Sequence, residues 1–521
     1  GGRRGRDTVT FKKISQFIFH RVVIVALLLV IQVAVFAFFF FRFSHYSVIF
    51  YGVSLFCSLV AVFAIVSSRS NPAYKIAWII LIMSLPIFGG PFYLLFGFNK
   101  LSRHTRKKMA KITEDMVRYD QPDESVLEKM MAAEADAGLQ SHYIERGAHS
   151  PPYCRTSCEY HPTGEVSWKR MLEELEKAEH YIFLEYFILE EGTMWDPILA
   201  ILRRKAAEGV DVRVIYDDLG SIFKLPDGYD KLLESYGIRA CVFNPFIPVI
   251  NLRMNNRDHR KICVIDGHTG FTGGINLADE YINVKELHGH WKDTAIMLRG
   301  EAVWSLTVMF LTMWDFIKGE EADFDLYRPQ VYQRELPPDD GYIQPFADNP
   351  LDDEPVGENV YLNMISRAKK YVYITTPYLI PSNEMMTALC NAARSGVDVR
   401  IITPHIPDKW YVHMVSRAHY SQLVEAGVRI FEYTPGFIHA KSFVADGLYA
   451  VVGTINLDYR SLYLHFECAT WMYGASCIQD IYRDFLETEA VSQEITLEQC
   501  RAVPFHTRIA RNLLKMFAPL M

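Results

Sequence analysis

The residues best suited to chemistry in this chain occur as two copies of one pattern. The first copy is His259, Lys261, Asp266 and Asn276, and the second is His439, Lys441, Asp446 and Asn456, with the same spacing throughout. One such histidine, lysine and aspartate spacing arises by chance in roughly a few per cent of chains this long, whereas two copies with the same downstream asparagine arise in about 1 in 1,000 or less. The duplicated pattern therefore predicts a functional site.

Two histidines, two lysines and two asparagines that converge from the two copies would suit a single phosphodiester. Lys261, Asn276, Lys441 and Asn456 are the predicted phosphate-binding residues. They would neutralise the equatorial phosphate oxygens while one histidine attacks the phosphorus and the opposite histidine protonates the leaving oxygen. No carboxylate cluster in the sequence suggests a Mg²⁺ or Zn²⁺ site. We therefore predict that the lysines supply the positive charge and that the site uses no metal and no cofactor.

Strand geometry offers a reason for the spacing between histidine and lysine. Residues two apart in a β-strand share one face, so His259 and Lys261, like their counterparts in the second copy, would project together. Asp266 and Asp446 have the opposite parity: each lies an odd number of residues after its lysine and would face the other side of a strand. Both belong to the predicted catalytic motif, but we expect them to end a strand and hold the local fold rather than to orient the histidines.

Each histidine also needs an orienting acid, because a nucleophile or proton shuttle must have its second ring nitrogen fixed by an acceptor. Two candidates lie downstream of the motifs. They are Asp293, in the segment His-Trp-Lys-Asp, and Glu467, in the segment His-Phe-Glu. We predict that these two acids orient the histidines.

The residues around the motifs also repeat, from about residue 150 onwards. Segments 177–188, 210–215 and 236–239 align with segments 367–378, 397–402 and 426–429. Each block begins as a short β-branched or aromatic run after a helical stretch, which indicates βαβ units with buried parallel strands. A repeat of about 190 residues has the size of a domain. We therefore predict two α/β domains, 150–335 and 336–490, packed as a pseudo-twofold pair.

The first repeat contains an insertion next to its motif. The offset between equivalent residues falls from 190 at Pro245 and Pro435 to 180 at His259 and His439, which leaves ten extra residues in the first repeat. If the two repeats face each other, this apolar insertion lies at the mouth of the shared site. Contact with lipid and packing on its own domain both stay open.

The N-terminal hundred residues hold the long apolar runs. Val22 to Phe41 and Val48 to Val66 are each long enough to cross a hydrocarbon layer of about 30 Å. Basic residues before the first run keep the N-terminus cytoplasmic. The third run, 76–98, is broken by prolines and glycines at 86–91, which favours a re-entrant or interfacial hairpin over a plain span. We predict a helical membrane region at 1–100, a basic helical linker at 101–149, and catalytic domains on the cytoplasmic side.

Composition narrows the class of partner. Lys and Arg number 54 against 61 for Asp and Glu, a net charge of -7, which argues against a protein that coats nucleic acid. The nine cysteines are scattered without a CxxC pair, as expected in a reduced compartment. Cys154, Cys158 and His161 form an incomplete metal set.

In the C-terminal tail, 491–521, a basic amphipathic helix is predicted, and both docking on the catalytic domain and binding to an anionic membrane stay open.

The duplicated motif resembles that of the phospholipase D superfamily, in which HxKxxxxD occurs twice per active site. The resemblance covers about residues 150–490, and the segment from Ala77 to Gly97 is similar to the membrane segment that precedes bacterial cardiolipin synthases. It implies two tandem phospholipase D-like α/β domains after an N-terminal helical membrane region, a histidine that forms a phosphatidyl-enzyme, and assisting roles for the two asparagines and the two orienting acids. The second copy departs from the pattern with Thr454 after its glycine, and we expect no effect of this change on the chemistry.

The same resemblance implies a transphosphatidylase of the bacterial inner membrane that joins two phosphatidylglycerols into cardiolipin and releases glycerol. His259 would attack the first lipid, and His439 would protonate the departing glycerol, although near-symmetry leaves the reverse assignment open. A phospholipase D hydrolase or a phosphatidylserine synthase would use the same site with water or serine, so the acceptor also stays open. The implied partners are phosphatidylglycerol, other anionic phospholipids and the membrane, with no nucleic acid.

Overall fold

The computed structural model describes residues 21–44, 48–68, 71–85, 88–94, 103–245, 256–328, 336–352 and 354–520. The chain divides into two compact units. One takes its described residues from Gly1–Lys100 and Asn244–Asn256, and the other from Leu101–Phe243 and Arg257–Pro519. Of the predicted insertion, residues 246–255 lie outside the described part of the chain.

The first unit is helical. Its helices are α1 (Arg21–Ser44), α2 (Val48–Ser67), α3 (Pro72–Ser84) and α4 (Gly89–Phe92). Two glycines allow α4 to pack closely on its neighbours, since a Cβ on Gly89 would meet the Cα of Ile82 at 2.8 Å and a Cβ on Gly90 would overlap Ser58 of α2.

Among the described residues, no helix is both long enough and apolar enough to cross a membrane. The crossings predicted for residues 22–41 and 48–66 are therefore not confirmed.

The second unit contains two mixed β-sheets, one from each repeat. The strands of the first repeat are β1 (Thr156–His161), β2 (Tyr181–Tyr186), β3 (Asp211–Asp217), β4 (Arg239–Phe243), β5 (Arg257–Asp258), β6 (Ile262–Ile265), β7 (Thr269–Gly273), β8 (His290–Lys292) and β9 (Ala295–Gly300). The strands of the second are β10 (Tyr342–Asp348), β11 (Tyr371–Thr375), β12 (Asp398–Pro404), β13 (Arg429–Tyr433), β14 (Gly436–Ile438), β15 (Ser442–Ala445), β16 (Tyr449–Gly453), β17 (His465–Tyr473) and β18 (Ser492–Glu494).

The two sheets have one topology. The first runs β1-β9-β7-β6-β2-β3-β4 and the second runs β10-β17-β16-β15-β11-β12-β13, with β18 added at the end. In each sheet three strands are parallel, β2 to β4 and β11 to β13, and the remaining pairs in these two series are antiparallel. The aligned apolar runs of the sequence are these parallel strands, and they are buried on both faces because helices cover the outer side.

The helices of the second unit surround these sheets. They are α5 (Arg103–Tyr119), α6 (Glu124–Ala133), α7 (Ala135–Ala148), α8 (Gly164–Leu175), α9 (Trp195–Ala207), α10 (Asp218–Ser221), α11 (Tyr229–Ser235), α12 (Val303–Lys318), α13 (Val356–Arg367), α14 (Asn383–Arg394), α15 (Trp410–Glu425), α16 (Tyr459–Tyr463), α17 (Ile478–Ala490), α18 (Leu497–Arg501) and α19 (Phe505–Phe517). In the basic linker, Lys108 of α5 donates to the Phe316 carbonyl of α12 at 2.9 Å.

Helix α12 lies in the core that the two repeats share. Its residues from Val303 to Asp315 are all buried, and the surrounding apolar cluster draws side chains from both sheets, among them Phe183 of β2 and Val444 of β15. Phe310 of α12 stacks on Phe183 with ring centroids 4.5 Å apart. Burying one such side chain stabilises a fold by about 1.5–3 kcal/mol, so this shared core holds the repeats together and keeps the two motifs in register.

Two short strand pairs join the repeats next to the motifs. β5 of the first repeat runs parallel to the start of β17, and β14 of the second repeat runs parallel to β8. Each strand that leads into a motif histidine is therefore hydrogen-bonded to the strand of the other repeat that leads into an orienting acid. This exchange decides which acid meets which histidine.

Candidate active site

The two motif histidines lie in irregular segments between strands. His259 and Lys261 fall between β5 and β6, and His439 and Lys441 fall between β14 and β15. The prediction that these residues sit within a regular strand is wrong, because their backbone bonds to the opposite repeat instead. The His259 N–H donates to the Phe466 carbonyl at 2.9 Å, and the His439 N–H donates to the Lys292 carbonyl at 2.7 Å.

Each histidine is paired with the acid of the other repeat. Nδ1 of His259 lies 2.9 Å from both carboxylate oxygens of Glu467, and Nδ1 of His439 lies 2.6 Å from Oδ2 of Asp293. The sequence singled out both acids but did not say which histidine each would meet. The reciprocal pairing requires both repeats, so neither repeat contains a complete histidine and acid pair of its own.

Burial controls the protonation of both histidines. Only 7% of His259 and 6% of His439 is exposed. Burial lowers the pKa of His259 well below its usual value, with Glu467 opposing the shift, and burial together with the charge of Lys441 lowers the pKa of His439 to about 4. A neutral imidazole that donates its Nδ1–H to a carboxylate keeps a lone pair on Nε2. Both histidines are therefore neutral at pH 7 and can act as nucleophile or base through Nε2.

Glu467 is held by two hydroxyl groups as well as by His259. Ser461 donates to Oε1 at 2.6 Å, and the Thr454 hydroxyl donates to Oε2. Burial alone would raise the pKa of Glu467, but the interactions with His259 and His465 outweigh it, and the net pKa is lowered. Glu467 therefore stays ionised. The sequence did not indicate Ser461, and it gave no role to Thr454.

The position equivalent to Thr454 is glycine in the first repeat for a steric reason. A Cβ on Gly274 would overlap the carboxylate of Asp293. Asp293 accepts the backbone N–H of Thr294 at 2.8 Å. Burial opposes ionisation of Asp293, but the charge of Lys441 and the hydrogen bond with His439 outweigh it and lower its pKa. The two repeats thus hold equivalent acids in different ways, with backbone contacts in one and hydroxyl groups in the other.

The two lysines are buried and lie close enough to affect each other. Burial lowers the pKa of Lys261 to about 8, and burial together with the charge of Lys261 lowers the pKa of Lys441 to about 7. The charge of Lys261 also lowers the pKa of His439 in the other repeat. Each lysine donates to the carbonyl of its own motif histidine, which for Lys261 is at 2.5 Å. The two halves of the site therefore converge, and an added anion would be attracted by both lysines.

The two motif asparagines are not equivalent. Asn276 accepts the Ile188 N–H at 2.9 Å and donates to the Tyr281 hydroxyl at 2.7 Å, so its amide carbonyl is already used in the fold. The side-chain oxygen of Asn456 is buried without a hydrogen-bond partner in the described residues. The second repeat thus keeps the more available amide.

Asp266 and Asp446 lie outside the site. Asp266 accepts the backbone N–H groups of residues 179, 180 and 181 at 2.7–2.8 Å, and Asp446 accepts those of 369, 370 and 371. Asp266 directly follows β6, and Asp446 directly follows β15. Each aspartate therefore lies at the end of the strand that begins after the motif lysine. They anchor the starts of β2 and β11, as their parity indicated, and their inclusion among the catalytic residues stays a prediction.

Aromatic rings line the histidines. The ring of Phe187 lies 5.1 Å from that of His259, and the ring of Tyr281 lies 5.6 Å from that of His439.

A third histidine, His465, has its ring 5.4 Å from His259 and its Nδ1 3.7 Å from Glu467. Ligand atoms of His259, His465 and Glu467 all lie within 4.8 Å of one another, which would allow a metal ion. The sequence placed His465 beside Glu467 but did not assign it a role.

Known proteins share both the repeats and the N-terminal region. Residues 171–304 and 361–488 match the family described as "Cardiolipin synthase, PLD-like domain", and residues 56–97 match "Phospholipase_D-nuclease N-terminal". A cardiolipin synthase of Geobacillus kaustophilus is 36% identical over 476 residues, which are 90% of this chain and 94% of the relative. An uncharacterized protein of Streptococcus mutans is 44% identical over 461 residues, 88% of this chain and 99% of the relative.

A solved structure has the same fold at low sequence identity. The crystal structure of phosphatidylserine synthase from Haemophilus influenzae gives a TM-score of 0.53 at 13% identity and covers 73% of this chain and 98% of that one. Two equivalent sheets and two reciprocally paired motifs define a two-repeat protein of the phospholipase D class. The chain belongs to the family of phospholipase D-like cardiolipin synthases.

Proposed function

We propose that this protein is a phosphatidyltransferase that makes cardiolipin and glycerol from two molecules of phosphatidylglycerol. The observation that carries the proposal is the reciprocal pairing of His259 with Glu467 and of His439 with Asp293 around two buried lysines. Family relatives named cardiolipin synthase, at 36% and 35% identity over 90% of the chain, give the substrate class.

In the first step, Nε2 of His259 attacks the phosphorus of the first lipid. A phosphorus–nitrogen bond forms and the phosphorus–oxygen bond to glycerol breaks. His439 donates a proton to the departing glycerol oxygen. His439 is neutral in the free protein, but a bound phosphodiester anion beside it favours the protonated ring and raises its pKa. Glu467 holds the ring of His259 and stabilises the positive charge that develops on it.

In the second step, the now neutral His439 takes the proton of a glycerol hydroxyl on the second lipid. That oxygen attacks the phosphorus, and the bond to His259 breaks. The product is cardiolipin, and both histidines return to their starting protonation states. The assignment of His259 as nucleophile follows the family resemblance, and the near-symmetric geometry serves the reverse assignment equally well.

Charge neutralisation falls to the chain's own residues. Lys261 and Lys441 face the phosphate oxygens, and Asn456 offers an amide that the fold does not fully use. Asn276 is proposed to act mainly by positioning Tyr281 and the backbone at Ile188, because its side chain is occupied by them. Fixed cations and amides in a buried site stabilise the transition state strongly because no water must reorganise.

The same site could transfer the phosphatidyl group to water or to serine. Burial of both histidines and the surrounding rings limits the access of water, which favours transfer to a lipid alcohol over hydrolysis. Likeness to the phosphatidylserine synthase structure supports only the fold. We therefore keep the hydrolase and the serine transferase as the alternatives to be tested.

We also propose that the N-terminal unit attaches the protein to the bacterial inner membrane, with the catalytic repeats on the cytoplasmic side. Helix α2 supports this proposal, because its apolar side chains face outwards, including Phe56 at 65% and Phe63 at 73% exposure. An aqueous setting would penalise such a surface. The fixed attachment would keep the site next to its lipid substrate.

The test is incubation of the purified full-length protein with phosphatidylglycerol alone, with products identified by mass spectrometry. Cardiolipin with equimolar glycerol supports the proposal. Phosphatidic acid with glycerol supports the hydrolase, and serine-dependent phosphatidylserine supports the other alternative. His259→Ala and His439→Ala should each abolish product, since the site needs both rings. Near-normal turnover by either variant, with an unchanged melting temperature, would exclude the shared site. Glu498→Ala, an exposed change on α18, serves as the control.

A further inference from the structure

The C-terminal helix α19 exposes an apolar stripe that an ordinary docked helix would bury. At 100° per residue, the stripe residues fall within about 80° of one another around the helix. They are Phe505, Ile509, Leu513 and Met516, which are 75%, 44%, 53% and 42% exposed. A single apolar face on a surface helix normally packs on the core. Here that face is turned away from the catalytic repeats.

The opposite side of the helix is the side that docks. Leu514, together with Ala518 just after the helix, packs with Val412 and Val415 of α15 and with Ile380. The helix is therefore anchored to the second repeat by one set of apolar residues and presents a second set outwards. Docking on the catalytic domain, one of the two alternatives that the sequence left open, therefore occurs, and it leaves the apolar stripe exposed.

Positive charge lies away from the stripe centre, by about 100° for Arg508, 120° for Lys515 and 160° for Arg511. The helix contains Arg508, Arg511 and Lys515 and no acidic residue. Burial lowers the pKa of Arg511, with the charge of Arg417 adding to the effect, and the Nε of Arg511 is buried without a hydrogen-bond partner in the described residues. Arg511 therefore lies on the docked side, and Arg508, which is exposed and lies nearest to the stripe, is the cation that suits negatively charged head groups.

A short series of contacts connects the region near the helix end with the site. Ile380, which packs near the helix end, lies two residues after Tyr378, whose ring is 6.5 Å from that of Phe437. The ring of Phe437 is in turn 5.8 Å from that of His439. Trp410, at the start of α15, is 66% exposed. An exposed tryptophan, an apolar stripe and an exposed arginine are the composition of a surface that lies in a membrane interface.

We propose that the stripe of α19 and Trp410 insert into the interface of an anionic membrane next to the mouth of the active site. This inference rests on the proposed function in one respect, namely that the site receives a lipid. The surface would let a phosphatidylglycerol head group reach the two histidines while its acyl chains stay in the bilayer. Arg508 beside the stripe would hold a neighbouring anionic lipid there.

The test places an environment-sensitive fluorophore on single cysteines in the full-length protein. The partly exposed Cys57, Cys154 and Cys500 are first replaced by serine. Labels at Ile509→Cys and Leu513→Cys are compared with a matched label at Arg508→Cys, which lies about 100° around the helix from the stripe centre. The protein is reconstituted in vesicles of phosphatidylglycerol and phosphatidylcholine, with a lipid-borne quencher at the depth of the glycerol groups.

The fluorescence emission of the labels at 509 and 513 should shift to shorter wavelengths. These labels should also be quenched at least about twice as strongly as the label at 508, because only the stripe enters the interface. Water-like emission at all three positions would overturn the proposal. A blue shift without lipid quenching would also overturn it and would assign the stripe to a protein contact, such as a second copy of this chain.

A functional arm separates this proposal from the proposed function. Leu513→Ser should raise the apparent KM for phosphatidylglycerol in vesicles several-fold while leaving turnover of a detergent-dispersed short-chain lipid unchanged, and Glu498→Ser, an exposed change on α18 outside the stripe, is the control. Equal KM values for the two variants would contradict the proposal. If wild-type protein makes no cardiolipin but the stripe labels are quenched by lipid, the proposed function is wrong and the proposed membrane contact of the stripe is supported.

Discussion

His259 and Glu467 belong to different repeats, yet the Nδ1 of His259 lies 2.9 Å from the Glu467 carboxylate. The mirror relationship, between His439 and Asp293, is as close at 2.6 Å. Because β5 pairs with β17 and β14 pairs with β8, the backbone enforces both contacts. The catalytic unit is therefore the pair of repeats, and a change in one repeat should disable the histidine of the other.

The first prediction separates the two acids by the step that each affects. Glu467→Gln should slow formation of the phosphohistidine on His259, and Asp293→Asn should slow both proton transfers of His439, each on the order of 10²- to 10⁴-fold, because an amide no longer fixes the imidazole or stabilises its charge. Rapid-quench measurement of the labelled adduct reads the two steps separately. With a lipid whose leaving group needs little protonation, adduct should accumulate in Asp293→Asn and stay absent in Glu467→Gln. The opposite pattern would reverse the roles of the histidines.

The second prediction concerns Thr454, where the sequence suggested no chemical consequence. Thr454→Val keeps the volume but removes the hydroxyl that donates to Glu467. Loss of a hydrogen-bond donor to a buried carboxylate costs about 1–3 kcal/mol, so kcat should fall by about tenfold. The acid limb of the pH profile of kcat should move to higher pH. Thr454→Ser is the matched control, since it keeps the donor. Equal rates for the valine and serine variants would show that Ser461 alone suffices.

Thr454 also shows where sequence reasoning reaches its limit. Spacing alone predicted the two motifs, the duplication and both orienting acids, because local patterns and repeats are encoded along the chain. The cross-repeat pairing, the hydroxyl groups on Glu467 and the structural role of Asn276 could not be predicted. Each depends on tertiary contacts between segments that are distant in sequence, such as His259 and Phe466.

The third prediction is that the site works without a divalent cation, since Lys261 and Lys441 supply the charge next to the phosphate. Activity should be unchanged after dialysis against EDTA. The cluster of His259, His465 and Glu467 makes this a demanding test. Loss of activity in EDTA, restored by one specific metal in the wild type but not in His465→Asn, would identify that cluster as a metal site and contradict the prediction.

The fourth prediction is an alkaline decline in kcat/KM that follows the buried lysines. Burial lowers the pKa of Lys441 to about 7 and that of Lys261 to about 8. A lysine with a lowered pKa is charged below that value and loses its charge as the pH rises through it. The decline should therefore begin at about pH 7–8, more than two units before an ordinary lysine titrates. It should appear mainly in KM, because the bound phosphate itself favours the charged form. A profile that stays flat to about pH 9.5 would contradict it.

The last prediction concerns topology and decides which leaflet supplies the substrate. The basic residues before the first apolar run and after the third predict that both flanks stay on the cytoplasmic side. Single cysteines are placed at His45→Cys, between the first two runs, and at Thr105→Cys, after the third, in a background that lacks reactive cysteines. In intact cells, a membrane-impermeant thiol reagent should label position 45 and not position 105. Labelling of neither position would show that the first two runs do not cross. External labelling of both would mean that the third run crosses fully, and the catalytic repeats, with their phosphatidylglycerol, would then belong to the outer leaflet.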